Sequence, residues 1–375
     1  MILDSPSVPY YGMDRRTHPD RAFIEEALLD VARSDEFILK RRVAAFEEEL
    51  CRYSGAGGAV AVASGTHALE VALTALGVGP GVEVIVPAFG FHSSASAVAR
   101  RGGKPVLVDV DPETWHLDPD RLADAIGEST AGVVPVHLFT QMADMPAIVA
   151  LAREHDAWVL ENSAVAIGMR RDGRMAGLFG DIGLYSFQPV KPIGGASDGA
   201  AIVGDDEELI RRCRMLRNHG QDGITRFLHH IVGFNARMDE VTGALLSRRL
   251  ARYDESIARR AEIAARYDEA LADLAPDLRV PPPADHEQVF YTYTVACRDR
   301  DGLERHLAER GIETKVYYPL PLHLQPAFAW LGHGEGDFPN AERACRESLA
   351  LPLYPDMPDA DVEATIAAVL EHHGR

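Results

Sequence analysis

Residues 59–76 read AVAVASGTHALEVALTAL: an apolar run that breaks at Ser64-Gly65-Thr66 and resumes with helical spacing. The run reads as a buried strand, the break as a turn, and the remainder as a helix packed back on the strand. The same unit recurs. EVIVP (83–87) precedes SSASAVARRG, PVLVDV (105–110) precedes DPDRLADAIGE, GVVPVHL (132–138) precedes MPAIVALAREH, and WVLEN (158–162) closes the series. Strands alternating with helices at this spacing predict an α/β fold with a mostly parallel sheet covered on both faces. DIGLYSF (181–187) and GAAIVG (199–204) add two strands.

Residues 236–272 have helix-forming composition with many arginines on the outer face, and lead towards a smaller α/β unit. There PPPAD (281–285) reads as a loop, VFYTYTVAC (289–297) as a strand and DGLERHLAERG (301–311) as a helix. ETKVYY (313–318) reads as another strand and ADVEATIAAVLEHH (360–373) as the closing helix. The expected division is a large domain over 1–250, including an N-terminal arm, and a small C-terminal domain over 251–375.

Composition excludes several functions. A net charge of −19 argues against a nucleic-acid or anionic-membrane surface. No apolar stretch approaches a membrane span, and MILDSPSVPYYGMDRR (1–16) lacks a basic-then-apolar signal, so the cytoplasm is expected. Cys51, Cys213, Cys297 and Cys345 show no CxxC pairing, which argues against disulfides and structural zinc. Of 38 basic residues only Lys40, Lys104, Lys191 and Lys315 are lysines. Arginine cannot be deprotonated, so a retained lysine marks a candidate position for a primary amine.

Four stretches are candidates for chemistry. SGTHAL (64–69) is a helix start after a strand, either an anion site or a plain N-cap. In YSFQPVKPIGGASDGAA (185–201) Lys191 follows a strand end and precedes a glycine-rich loop. A lysine there is either a surface residue or the partner of a carbonyl cofactor, with the Ser186 hydroxyl placed for that cofactor's phosphate. In PAFGFHSSA (87–95) Phe89 and Phe91 point the same way in an extended chain, and either can be core or stack on a planar ring. LRNHGQDGITRFLHHIVGFNARMDE (216–240) carries a His-His pair, with no carboxylate or cysteine at metal-ligand spacing, and reads as a substrate loop or oligomer contact.

Together these stretches resemble the DegT–StrS family of sugar aminotransferases, which are fold-type-I pyridoxal 5'-phosphate (PLP) enzymes. The likeness runs through VASGTHALEVALTALGVGPGVEVIVPAFGF, GGKPVLVDVDPETWHLDP, VVPVHLFTQMADM, GDIGLYSFQPVKPIGG, LRNHGQ, GFNARMDE, YYPLPLHLQPAF and GDFPNAERACRESLALPLYP. By position, Lys191 matches the family's Schiff-base lysine. Gly65, Thr66 and Ser186 match phosphate contacts, and Phe91 matches the aromatic stacked on the ring. Asn235 matches a residue reaching the phosphate from the neighbouring subunit, which implies a homodimer with shared sites. Tyr318 falls where the sugar site is lined, and Arg237 is placed as a diphosphate contact. The implied reaction moves an amino group from glutamate or glutamine to a keto-sugar, on a nucleotide-linked keto-deoxysugar in the nearest pattern.

The chain departs from the family where relatives read EDAAQAHGA and it reads ENSAVAIGM (161–169). Asn162 stands for the aspartate that keeps the pyridine nitrogen protonated, and Val165 for a glutamine that bonds the ring's 3-oxygen. Ile167 and Tyr317 each replace a histidine. An amide lacks the charge that favours a pyridinium. The change leaves two alternatives beside transamination: altered PLP chemistry (elimination or dehydration, epimerisation, cyclisation) or a catalytically degenerate binding or regulatory protein.

Overall fold

The computed structural model describes residues 8–13 and 20–375. The expected N-terminal arm and most of the stretch read for targeting signals lie outside them. Two helices, α1 (Arg21–Ser34) and α2 (Arg41–Ser54), precede β1 (Gly58–Val62), and α3 (Gly65–Ala75) follows it. Then come β2 (Glu83–Pro87), α4 (Ser93–Arg100), β3 (Lys104–Val108), α5 (Pro119–Ala125), β4 (Thr130–Val133), α6 (Met145–Glu154) and β5 (Trp158–Asn162). A small hairpin, β6 (Arg170–Arg171) and β7 (Arg174–Met175), leads to β8 (Ile182–Ser186) and β9 (Ala200–Gly204).

The seven-stranded sheet has the order β1-β9-β8-β5-β4-β2-β3. Only β9 among its strands runs against the others, pairing antiparallel with both β1 and β8. The remaining pairs are parallel. Both faces are apolar, with Val60, Val84, Val86 and Leu160 in one cluster and Ala59, Ala61, Tyr185 and Val203 in another. This is the mixed, mostly parallel α/β sheet expected from the repeated units.

After β9 the chain forms α7 (Glu207–Arg217), α8 (Glu240–Leu250) and α9 (Tyr253–Leu271). The segment read as helix-forming from 236 is therefore two helices, the first entered at the Asp239 cap, whose side chain accepts from Thr242 N–H. The second sheet has the order β10 (Leu278–Arg279), β11 (Tyr293–Cys297), β12 (Ser348–Leu351), all antiparallel. It is covered by α9, α10 (Arg300–Glu309) and α12 (Asp359–His372), with α11 (Pro339–Glu347) leading into β12. Ile263, Tyr267, Val295, Leu303, Leu349 and Val369 form its core.

The C-terminal expectations need two corrections. ETKVYY is not a strand: Lys315 alone pairs, with Ala350, and the chain then turns away. The sheet is instead completed by SLAL in β12, whose short apolar run carries no period to separate strand from helix.

One buried carboxylate joins the helices behind the main sheet. Glu240, fully buried at the start of α8, accepts from the backbone N–H groups of Lys40 (2.7 Å), Arg42 (2.8 Å) and Val43 (3.2 Å). These belong to the first turn of α2, whose Lys40 cap position provides no side-chain cap of its own. Glu240→Ala leaves these amides unpaired, and we expect a loss of about 3 kcal/mol, read as a lower urea midpoint at unchanged slope.

Candidate active site

Because β1, β2, β4, β5 and β8 run the same way, their carboxyl ends share one edge, where open α/β sheets bind ligands. A cavity of about 620 Å³ opens there. β1 delivers Ser64, Gly65 and Thr66, β2 leads to Phe91 and Ser93, and β4 leads to His137. β5 ends in Asn162 and β8 in Ser186, with Lys191 on the loop beyond. The opposite wall is Tyr291, Tyr317 and Tyr318, with Tyr11 from the N-terminal segment.

Gly65, Thr66, Phe91, Asn162, Ser186, Lys191 and Tyr318 are thus brought together as the sequence predicted. Asn235 and Arg237 are not. They lie side by side outside this cavity, Arg237 Nε donating to Asn235 Oδ1 at 2.9 Å. Phe89 and Phe91 part company: Gly90 adopts φ +145°, so Phe89 is fully buried against Trp115, Phe139 and Tyr318 while Phe91 is 54% exposed at the cavity.

The helix start leaves backbone donors facing the cavity. Ser64 Oγ accepts from His67 N–H at 3.2 Å, and the first intrahelical bond runs from Ala68 N–H to Ser64 C=O. The Gly65 and Thr66 amides come before that bond and point out of the helix end. A Cβ on Gly65 would lie 3.4 Å from Ser186 Oγ, so the missing side chain is the space between the helix start and that hydroxyl. The N-cap reading of SGTHAL is seen in Ser64, and the Gly65 and Thr66 amides lie ahead of the first intrahelical bond.

Lys191 has its amine in a poorly solvated position 4.8 Å from the centre of the Tyr291 ring. Burial pushes its pKa down to about 8. Burial also holds the Tyr291, Tyr317 and Tyr318 phenols well above their ordinary value, so they remain donors at neutral pH. Tyr11 and Tyr317 hydroxyls are hydrogen-bonded to each other.

Beneath Asn162, Glu161 points to the opposite face of β5 and is completely buried. It accepts from Gly180 N–H (2.7 Å), Gly177 N–H (2.8 Å) and His137 Nε2 (3.1 Å). Since Ala143 N–H donates to His137 Nδ1, the imidazole proton sits on Nε2 and goes to Glu161. His116 Nε2 likewise accepts from Leu138 N–H, and burial pushes its pKa down to about 3.

Sequence reasoning missed Tyr11, Tyr291, His137, Gln188 and Asp198 in the cavity lining. Tyr291 lies in a stretch read only as strand, and nothing local to the Tyr10-Tyr11 doublet points across the fold. The His-His segment also needs correction, since Asp222 Oδ2 sits 2.9 Å from His230 Nε2. Still, among the described residues no three His, Cys, Asp or Glu side chains gather as a metal site. All four cysteines are free.

A strand-edge cavity with a half-buried lysine, open backbone donors at a helix start and an exposed aromatic ring fits PLP, and the fold is that of a fold-type-I PLP-dependent transferase. The chain matches the model of the DegT/DnrJ/EryC1/StrS aminotransferase family over residues 19–370. It belongs to that family and is a PLP-dependent aminotransferase. It is 40% identical to a pleiotropic regulatory protein of Geobacillus stearothermophilus, over 98% of this chain and 99% of that protein. It is 38% identical to the dTDP-3-amino-3,4,6-trideoxy-alpha-D-glucose transaminase of Streptomyces venezuelae, over 98% and 97%. The fold superposes on S. venezuelae DesV, solved with a ketimine intermediate, with TM-score 0.95 at 38% identity, covering 99% of this chain and 100% of that one. NtdA of Bacillus subtilis, solved with bound cofactor PMP, gives TM-score 0.92 at 29% identity, covering 100% and 87%.

The lowered lysine pKa sets a pH dependence. Below about 8 the amine is protonated and unreactive, and above it the neutral nucleophile dominates. PLP uptake by the apo-protein, followed by visible absorbance, should rise about tenfold per pH unit and level off near pH 8, well below the range of an ordinary lysine.

Proposed function

We propose that this enzyme transfers the amino group of glutamate or glutamine to a keto-sugar carried on a nucleotide. The observation that carries the reading is the convergence of the Lys191 amine, the Gly65–Thr66–Ser186 cradle and Asn162 on one cavity. PLP, when bound, supplies an aldehyde that exchanges amines and a ring that takes up electrons as a Cα proton leaves. Lys191, about half neutral at pH 8, would hold the cofactor and move the proton. The cradle amides and the Ser186 hydroxyl would hold the phosphate at the start of α3. Phe91 would stack on the ring, and Tyr318, kept protonated, would donate a hydrogen bond to the sugar. The relatives named for dTDP- and UDP-linked amino sugars support the nucleotide-linked substrate. Lys191→Ala in folded protein should abolish the visible chromophore after PLP addition and reduce amine transfer at least about a thousandfold.

The uncharged Asn162 favours a second reading, a different reaction on the same cofactor. Glutamate or glutamine converting the bound chromophore to the amine form selects transfer; no conversion by either selects the alternative.

The working unit in this reading is a homodimer, with Asn235 and Arg237 serving the partner's phosphate and substrate diphosphate. Exposed Ile224, Phe227, Leu228 and Val232 lie in the segment just before Asn235, and exposed Phe37 and Ile38 flank the Asp239–Glu240 corner. Such apolar exposure is what a subunit contact would cover. We also read residues 1–250 and 251–375 as two domains and the cytoplasm as the working compartment. No helix among the described residues is long and apolar enough to cross a membrane. Light scattering should give a dimer, and Asn235→Ala should weaken PLP retention about tenfold or more while the dimer persists.

A further inference from the structure

We propose that Asn162 holds the cofactor's ring nitrogen unprotonated by donating a hydrogen bond to it, and this rests on the PLP site assigned above. The structure fixes which way the Asn162 amide faces. Ala164 N–H donates to Asn162 Oδ1 at 3.3 Å, and a backbone N–H has nothing to accept with. A reversed amide would set N–H against N–H. With the oxygen so placed, Nδ2 donates to Ser94 Oγ at 3.0 Å. Ser94 is buried in the first turn of α4 and acts as a positioning residue for Asn162.

An amide nitrogen carries two hydrogens. Ser94 takes one, and the other is available to a ligand in the cavity that Asn162 lines. A pyridinium N–H meets that group donor to donor, whereas an unprotonated ring nitrogen accepts from it.

Among the described residues no carboxylate bonds the Asn162 side chain. Glu161 is next in sequence but faces away, with its oxygens taken by Gly180, Gly177 and His137. Among the residues lining the cavity the carboxylate is Asp198, exposed, at the approach to β9. β8 stands between β9 and β5, and neither hydrogen bond of the Asn162 side chain involves Asp198. Buried Val165 adds an apolar wall beside Asn162, which disfavours a charged ring further.

The test is nitrogen NMR of the holoenzyme reconstituted with PLP labelled with nitrogen-15 in the ring. The parent should show the unprotonated-pyridine shift throughout the pH range in which it is folded, and Asn162→Asp should move the signal to the pyridinium position. A pyridinium signal in the parent, with the proton going to Oδ1, overturns the proposal, as does an unprotonated signal in both proteins. Should the variant misfold, the parent spectrum alone decides. Folded parent that binds no labelled cofactor overturns this proposal and the proposed function together, whereas bound cofactor with a protonated ring overturns only this one.

Discussion

Glu161 is the carboxylate on which the site's geometry rests. It is buried near the carboxyl end of β5, and that is tolerable only because several donors meet it there. Those donors come from the chain after β4 and from the turn between β7 and β8, so one side chain ties together the segments flanking β5. With Glu161 pinned on one face of the strand, Asn162 has no choice but the other. Its backbone is held as well, N–H to Pro135 C=O at 2.9 Å and C=O to His137 N–H at 3.1 Å. The cavity floor is thereby rigid before any ligand arrives.

The resulting site is divided by chemistry. One end is the positive end of α3 with the Ser186 hydroxyl, suited to a doubly charged phosphate. The other end is amide and hydrocarbon, Asn162 beside Val165, suited to a neutral ring. Between them stands an amine that burial has made a usable nucleophile near neutral pH. The polarity gradient runs across strands β1, β8 and β5, so strand order itself sets the spacing between the two ends.

Most of this was legible where chemistry is local. A strand that ends in Ser-Gly-Thr, or a lone lysine before a glycine-rich loop, marks a candidate within a few residues, and the family resemblance then chose between the open readings of Gly65, Ser186 and Lys191. The main sheet was readable for the same reason, since each buried strand is bounded by turn residues. Of the tyrosine wall, Tyr317 and Tyr318 were singled out by the resemblance, but Tyr11 and Tyr291 were not, because they reach the cavity from separate parts of the chain and carry no shared pattern. Ser94 was also out of reach: its role exists only once α4 is laid against the end of β5. ETKVYY failed in the opposite sense, for its β-branched and aromatic content serves a cavity wall rather than a ladder.

The reversed direction of β9 has a consequence for how Lys191 is presented. The chain leaves β8 and re-enters β9 at the same edge, so the intervening residues form a closed loop. Phe187 clamps it twice, donating N–H to Gly199 C=O at 2.7 Å and accepting from Gly195 N–H at 2.6 Å. Thr242 of α8 then braces it, its Oγ1 3.0 Å from Ser197 Oγ. The conformational entropy of ordering this loop is therefore spent when the protein folds, not when a ligand binds. That ordering cost is then not subtracted from the affinity for the cofactor.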